Sequence, residues 1–498
     1  MSEGIAVGPF AVGATAFFLL AAWCFTHRRV DRSLAAVGLY LGLLDGYVKL
    51  KTGSPYVTLG RDVLVAAIAG GALLRGMTGR SLPLPPLGGL VLAFGAVVII
   101  EMFNPQSPVF VFSAGGVRQH LEFVPLFFLG YAFMRRESQI KKLTLILVLC
   151  AGAGGFVSYI QSTLSPQELA NWGPGYSERV LGTGVFEGAP RVTFDENGVP
   201  NAVRPFGLGS DLGAGAVAAA LALPALIALM MMARGVQRAL LLPLGIGIGL
   251  AVATSGTRAA LITVFVTMVA FGLLAAASRN GSRVIAPLTV SAILVFGAFA
   301  VLGSENSTTN RAKTITPGNV VGTFRQERAS SVQKFTEYAA KYPFGLGVGT
   351  VGPAAGALSD RPISTQTLNT ETEWNFLVLE VGLVGLALFI AINVRLMALA
   401  LRRIRRLGDP ALRLHLAALA APLFGLIAAG FGGTTTATVP PAPYFWFVAG
   451  VLSYWLVTRR EPSAETPDPP VRGRPRALPQ PPVPAREPAL RFSAGRPT

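Results

Sequence analysis

Residues 211–232 read DLGAGAVAAALALPALIALMMM. Beyond Asp211 the stretch carries no charge, and as a helix rising about 1.5 Å per residue it crosses a hydrocarbon core about 30 Å thick. Arg234 and Arg238 follow it at once. Runs of the same kind recur on both sides, giving about thirteen apolar segments near spanning length. They lie near 5–25, 33–50, 57–75, 87–102, 118–134, 143–162, 211–232, 239–256, 259–277, 284–303, 376–397, 411–431 and 441–458. The 498 residues are 52% hydrophobic and 13% charged, with a mean hydropathy of +0.54. A soluble domain carries about 25% charged residues, so a water-soluble fold is excluded. A transmembrane β-barrel is excluded too, because its strands alternate over about ten residues instead of forming solid apolar blocks. The sequence predicts an all-α, polytopic transmembrane helical bundle of about 12–13 spans.

The basic residues set an orientation. His27-Arg28-Arg29, Arg75 with Arg80, Arg135-Arg136 with Lys141-Lys142, Arg234 with Arg238, Arg279 with Arg283, and Arg402-Arg403 with Arg405-Arg406 occupy every second connection. By the positive-inside rule that side is cytoplasmic, with the N-terminus outside. The net charge of +17 therefore reflects topology and not nucleic-acid binding. The first apolar run lacks a charged leader and reads as a retained span. Cys24 and Cys150 fall inside apolar runs, where a thiol acts as a small hydrophobe. Residues 1–458 read as one transmembrane domain. Residues 459–498 are rich in Pro and Arg and read as a disordered cytoplasmic tail.

Two long polar connections, 163–210 and 304–375, face the other side, where the chemistry is expected. The first contains Asn171-Trp172-Gly173-Pro174-Gly175 and closes on Arg204-Pro205-Phe206-Gly207. In the second, Phe324, Arg328, Val332 and Phe335 recur at helical spacing between Thr323 and Tyr342, and Pro343-Phe344-Gly345-Leu346-Gly347-Val348-Gly349 ends the helix.

Four features carry chemical potential, and each has a plainer account. Thr254-Ser255-Gly256-Thr257-Arg258 interrupts two apolar runs; a guanidinium there faces a water-filled cavity or an anion, or else snorkels from a tight turn. Arg325 and Arg328 on one amphipathic helix suit phosphate, whose oxygens the planar fork pairs two at a time, or form a solvated face. Glu371 and Glu373, in Asn369-Thr370-Glu371-Thr372-Glu373-Trp374-Asn375, offer a general base. Thr370 with Glu373 also fits a capping box. Arg204 is a ligand or a loop strut. No histidine lies in either long connection, and His120 reads as interfacial. Asp45, Glu101 and Glu122 fall near span ends, where interface placement is the simpler account.

At these residues the chain resembles the O-antigen ligase and O-antigen polymerase superfamily of bacterial membrane glycosyltransferases, chiefly over 200–400. Ser255-Gly256-Thr257-Arg258-Ala259 looks like the family's step between spans. Arg328, about fifteen residues before Pro343, matches its loop arginine. Glu380-Val381-Gly382-Leu383-Val384-Gly385-Leu386 matches the motif that closes its loop, and Thr58 to Asp62 and Gly116 to Leu121 are weaker echoes. Glu371 stands where the family places a histidine. The ligases rely on that histidine, whereas related polymerases use a carboxylate.

The resemblance implies a GT-C-like bundle with a large external, partly helical loop, in the bacterial inner membrane. It implies transfer from a polyprenyl-diphosphate-linked glycan to an acceptor sugar, inverting and metal-independent, with polymerase favoured over ligase. Glu371, Arg258 and Arg328 are the expected catalytic residues, and Arg204, Arg118, Arg325, Glu373 and Tyr338 are expected to touch substrate. No cofactor is expected; membrane lipid and a chain-length regulator are the further partners to consider. The rival from another class is a lipid-linked glycan transporter or flippase, which predicts paired broken helices and internal repeats. A non-catalytic scaffold leaves Arg258 and the ordered loop motifs unexplained.

Overall fold

Inside a membrane a backbone finds hydrogen-bond partners only in its own helix or in neighbouring protein, so the apolar runs fold as helices. The structure, a computed structural model, describes residues 7–54, 56–77, 84–107, 110–182, 192–194, 200–211, 213–255, 257–276, 329–352, 368 and 372–458. In chain order the first helices are α1 (Val7–Thr26), α2 (Val30–Leu43), α3 (Asp45–Thr52), α4 (Val57–Met77), α5 (Gly88–Glu101), α6 (Phe110–Leu121), α7 (Val124–Phe133) and α8 (Glu137–Ser162). Then come the short α9 (Pro166–Ala170) and α10 (Pro174–Leu181), and a two-stranded antiparallel ribbon of β1 (Val192–Phe194) and β2 (Pro200–Val203). The rest are α11 (Ala214–Met232), α12 (Val236–Thr254), α13 (Arg258–Ala275), α14 (Ala329–Lys341), α15 (Glu373–Arg403), α16 (Pro410–Ala429) and α17 (Pro441–Ser453).

The all-α polytopic architecture is as the sequence predicts. Among the described residues six helices are long and apolar enough to cross a membrane, and the bent pair α2–α3 makes a seventh if it counts as one span. Three further apolar helices, Gly13–Thr26, Gly88–Glu101 and Ala259–Ala275, are shorter. Three expected spans are not continuous, one of them the run at 376–397, which breaks at Gly382. The run at 33–50 bends by 44° at Leu44, just before the buried carboxylate of Asp45. The run at 118–134 is divided between α6 and α7, with Glu122 in the gap. In both places the polar side chain is buried at a helix break instead of resting at a lipid interface. The run at 284–303, the tail 459–498 and most of the second long connection lie outside the described residues.

Small residues set the packing. Thirteen residues of α11 are buried, and it lies among α8, α12, α13 and α16. Where α8 crosses α12, Gly155 sits so close to the Gly247 carbonyl that no side chain fits. The α7–α17 crossing is similar, for a Cβ on Gly130 would stand 2.6 Å from the Phe447 carbonyl oxygen. Lipid supplies no hydrophobic force between such helices, so close backbone approach and dispersion hold them.

The described part of the first long connection is a small structured cap. Ser165 begins α9, and its backbone N–H and hydroxyl both donate to Glu168 at 2.8 Å. Leu50, Leu169, Tyr176, Val180, Val203 and Phe206 form an apolar cluster of their own. Gln161, at the end of α8, fixes the return of the chain: its Oε1 accepts the N–H groups of Phe206 and Gly207 at 2.8 and 2.9 Å, and its Nε2 donates to the Gly207 carbonyl at 3.0 Å.

Candidate functional site

The step between α12 and α13 lies at one end of the bundle. Thr257 precedes α13, and Arg258 is its first residue; the Arg258 side chain lies outside what the structure describes. Two neighbours meet this step. A Cβ on Gly213 would stand 3.4 Å from Thr257 Cγ2, and one on Gly432 would stand 3.4 Å from Ala259 Cβ. The segment that begins at Arg204 and the turn between α16 and α17 therefore flank Arg258.

That turn also carries the site across to α15. The Glu373 N–H donates to the Gly430 carbonyl oxygen at 2.8 Å. The buried Glu373 carboxylate accepts the backbone N–H and hydroxyl of both Thr435 and Thr436. The sequence expectation of a Thr370–Glu373 capping box is corrected here. Thr372 is the cap, and its hydroxyl oxygen accepts the Asn375 N–H at 3.2 Å. Glu373 is thus the first residue of α15. Its carboxylate is occupied by the donors of the neighbouring turn. Arg204 is half-buried beside the Gln161-bound turn, so the structure brings it, the Arg258 backbone and Glu373 to one end of the bundle.

Arg118 stands in a second group on the same side of α3, α4 and α6. Arg61 pairs with Glu122, donating from Nη2 at 3.1 Å, and lies 3.5 Å from Asp45 Oδ2. Arg118 pairs with Asp62 and reaches Glu122 at 3.9 Å. Asp45 and Glu122 are buried, while Arg118 keeps about a third of its side chain exposed. Gly46, next to Asp45, packs against the backbone of Leu208 and Gly209, which joins this network to the segment after Arg204. Sequence reasoning placed Asp45 and Glu122 at interfaces. The available signal was Arg61-Asp62 inside an apolar run, since a guanidinium there demands partners.

His120 is also corrected, from an interfacial residue to a buried one. Its Nε2 lies 2.8 Å from Glu380 Oε2, and its ring stacks on Phe376 at 5.1 Å. The other Glu380 oxygen accepts the Val351 N–H at 3.2 Å. Tyr338, expected to touch substrate, is buried within α14 against the main core. Glu371, Arg325 and Arg328 lie outside the described residues.

Beside the charged network opens an apolar cavity of about 170 Å³. It is lined by α2, α8, α11 and α17 through residues such as Leu41, Ile146, Ala218 and Val448. Asp45 and Ser210 border one end of it, and Asp31 and Lys142 the other. Polar groups at two ends and an apolar middle suit the chain and headgroup of an amphiphile.

Residues 243–390 match the family model described as O-antigen ligase. No curated protein sequence matches the chain. The matched stretch begins within α12 and ends within α15, so it includes the Arg258 step, α14, the Pro343–Gly349 loop, Glu373 and Glu380. Through these residues the chain is similar to the O-antigen ligase family of membrane proteins.

Proposed function

We propose that the protein is a glycan polymerase of the bacterial inner membrane, acting on its external face. Its donor is a glycan on a polyprenyl diphosphate, and its acceptor is a hydroxyl of a second glycan. The carrying observation is that the Arg258 step, the Gly430–Thr436 turn and Glu373 meet at one end of the bundle, inside the matched stretch. Glu373 already accepts from Thr435 and Thr436. Of the two neighbouring carboxylates, Glu371 is therefore the one assigned to chemistry.

In this reading the acceptor hydroxyl oxygen attacks the anomeric carbon, its proton passes to Glu371, and the bond to the diphosphate breaks on the opposite face, inverting the centre. Diphosphate leaves without being protonated, provided that fixed cations meet the developing charge in a water-poor site. Arg258 and Arg328 are assigned to supply them, together with Arg204, and the apolar cavity suits the polyprenyl chain. Arg118, paired with Asp62, is assigned to the acceptor side.

The test is elongation of a lipid-linked oligosaccharide by purified protein in detergent. Glu371→Gln is expected to lose activity by about 10²–10⁴, the usual worth of a general base, and Glu373→Gln to keep it. Arg258→Ala and Arg328→Ala are expected to lose donor turnover. Full activity in Glu371→Gln removes the proposed base, and full activity in both arginine variants removes the cradle. Loss of activity in a strong chelator counts against metal independence.

A flippase or transporter is the second reading, favoured by the bend at Leu44 and by a break in α15, since discontinuous helices line substrate sites in transporters. Counterflow of labelled lipid-linked glycan in liposomes, without elongation, decides for it.

A further inference from the structure

A break inside a membrane helix frees N–H and C=O groups that lipid cannot satisfy. In α15 the break is at Gly382, with φ 64° and ψ −174°. The loop 343–352 fills it. Leu346 N–H donates to the Leu379 carbonyl at 2.6 Å, and Leu383 N–H donates to the Pro343 carbonyl at 2.9 Å. On its other side the loop is seated against α5 and α6: Asn104 Nδ2 donates to the Gly345 carbonyl at 3.5 Å, and Gly349 lies against Gly116 with no room for a side chain. Gly345, Gly347, Gly349 and Gly352 all have φ between 77° and 91°, a backbone that L side chains rarely adopt.

One carboxylate closes this assembly. Glu380 accepts from Val351 at the end of the loop and from His120 on α6. Against a carboxylate oxygen, which only accepts, the matching His120 tautomer is the one that donates from Nε2. Phe376 stacks on the His120 ring and Phe94 meets it edge-on at 6.3 Å. Among the described residues, His120 is the basic side chain that meets Glu380. A buried carboxylate without a Lys or Arg is a costly way to hold one loop N–H, which argues for a role beyond packing.

We propose that Glu380 and His120 are positioning residues of the glycan-transfer site. They clamp the glycine loop into the break of α15. The loop follows α14 directly through Lys341 and Tyr342, and the stretch bearing Arg325 and Arg328 leads into α14. The stretch bearing Glu371 leads into α15, whose first residue stands about two and a half turns before the break. The clamp therefore sets the placement of α14, which follows the arginines in sequence, against the start of α15, which follows Glu371. Its kinetic arm rests on the glycosyltransferase reading above; its structural arm does not.

The experiment uses the full chain in lipid nanodiscs, with turnover of a lipid-linked oligosaccharide and hydrogen exchange measured on the same samples. Glu380→Ala is expected to lower kcat by about 100-fold, the cost of a misplacement near 1 Å, with the donor KM within about twofold of wild type. Glu380→Gln restores most of the rate, because its amide oxygen accepts from Val351 and its NH₂ donates to the other His120 tautomer. The double variant Glu380→Ala/His120→Ala is no slower than Glu380→Ala alone, as residues acting as one unit require. Exchange of 344–352 rises about tenfold in Glu380→Ala while α11 and α16 are unchanged.

Unchanged exchange in that loop overturns the clamp, and a loosened loop with full kcat overturns the positioning role. Where Glu380→Ala fails to fold, His120→Ala, which leaves the Val351 bond in place, takes its part with an expected loss of about tenfold. If the wild type transfers no glycan, loop exchange still decides the clamp and only the glycosyltransferase reading falls.

Discussion

Gly382→Ala tests the broken helix directly. A Cβ at this position would stand 2.6 Å from the Phe344 carbonyl carbon, 2.8 Å from its oxygen and 2.9 Å from its Cα. All three atoms are backbone, so no rotamer change relieves the overlap. The loop must retreat by most of an ångström, and the Leu346–Leu379 and Leu383–Pro343 hydrogen bonds stretch with it. The φ/ψ pair at Gly382 also lies where only glycine is at ease, at a cost of about 1–3 kcal/mol for any other residue. Each backbone group left unpaired adds about 1–3 kcal/mol, although hydrogen bonds measured within membranes average only about 0.6 kcal/mol. A destabilisation of about 3–6 kcal/mol follows for Gly382→Ala if both bonds weaken. The measurement is equilibrium unfolding from mixed micelles by sodium dodecyl sulfate. Gly89→Ala is the control: a Cβ there meets nothing within 4 Å, so the change is neutral or gains up to about 1 kcal/mol of helix stability. A Gly382→Ala protein as stable as wild type refutes the account of the break.

Three further outcomes are expected. Glu373→Ala strands the N–H groups of Thr435 and Thr436 and costs about 2–5 kcal/mol, whereas Glu373→Gln costs about 1 kcal/mol or less because its amide oxygen still accepts both; equal losses in the two variants, read by thermal unfolding in detergent, contradict this. Arg61→Met removes the cation that the buried Glu122 and Asp45 carboxylates share, leaving Glu122 with Arg118 at 3.9 Å, and costs about 3–5 kcal/mol. Adding Glu122→Gln is expected to recover part of that loss in a double-mutant cycle, and strict additivity argues against the pairing. At the surface, the two bonds from Ser165 hold the Glu168 carboxyl below its ordinary range. Its contribution is present above the unfolded carboxyl's range and disappears as pH falls through the lowered value. Protection of 165–170 from hydrogen exchange should fade on acidification in wild type and be weaker at every pH in Ser165→Ala.

The helical membrane architecture was legible because its cause is local and repeated. A run such as 211–232 has one stable state in lipid, and its length and lack of charge suffice to show it. The breaks were not legible for the opposite reason. Leu44, Glu122 and Gly382 interrupt apolar runs without changing their average hydropathy, and what stabilises each break comes from elsewhere in the chain: Arg61 for Asp45 and Glu122, the glycine loop for Gly382. The candidate site was partly legible. The sequence singled out Glu373 as a substrate contact and as a local cap, because Thr370 at the matching spacing is visible in the sequence and Thr435 and Thr436 are not. Likewise His120 and Glu380 stand far apart in the chain, and only the fold shows that they share a hydrogen bond.

The break at Gly382 also bears on how the protein is made. As α15 enters the bilayer during synthesis, its exposed groups at Leu379 and Leu383 have no partner within the helix. Those partners, at Leu346 and Pro343, belong to a stretch synthesised earlier, which itself needs α5 and α6 already in place as a seat. Assembly therefore has a required order, with the oldest helices preparing the socket, the glycine loop entering it, and α15 completing insertion last among the three. A ribosome pausing after Gly352 would leave the socket filled and the break still to come, whereas a circularly permuted chain beginning at α15 would present the break before anything could meet it.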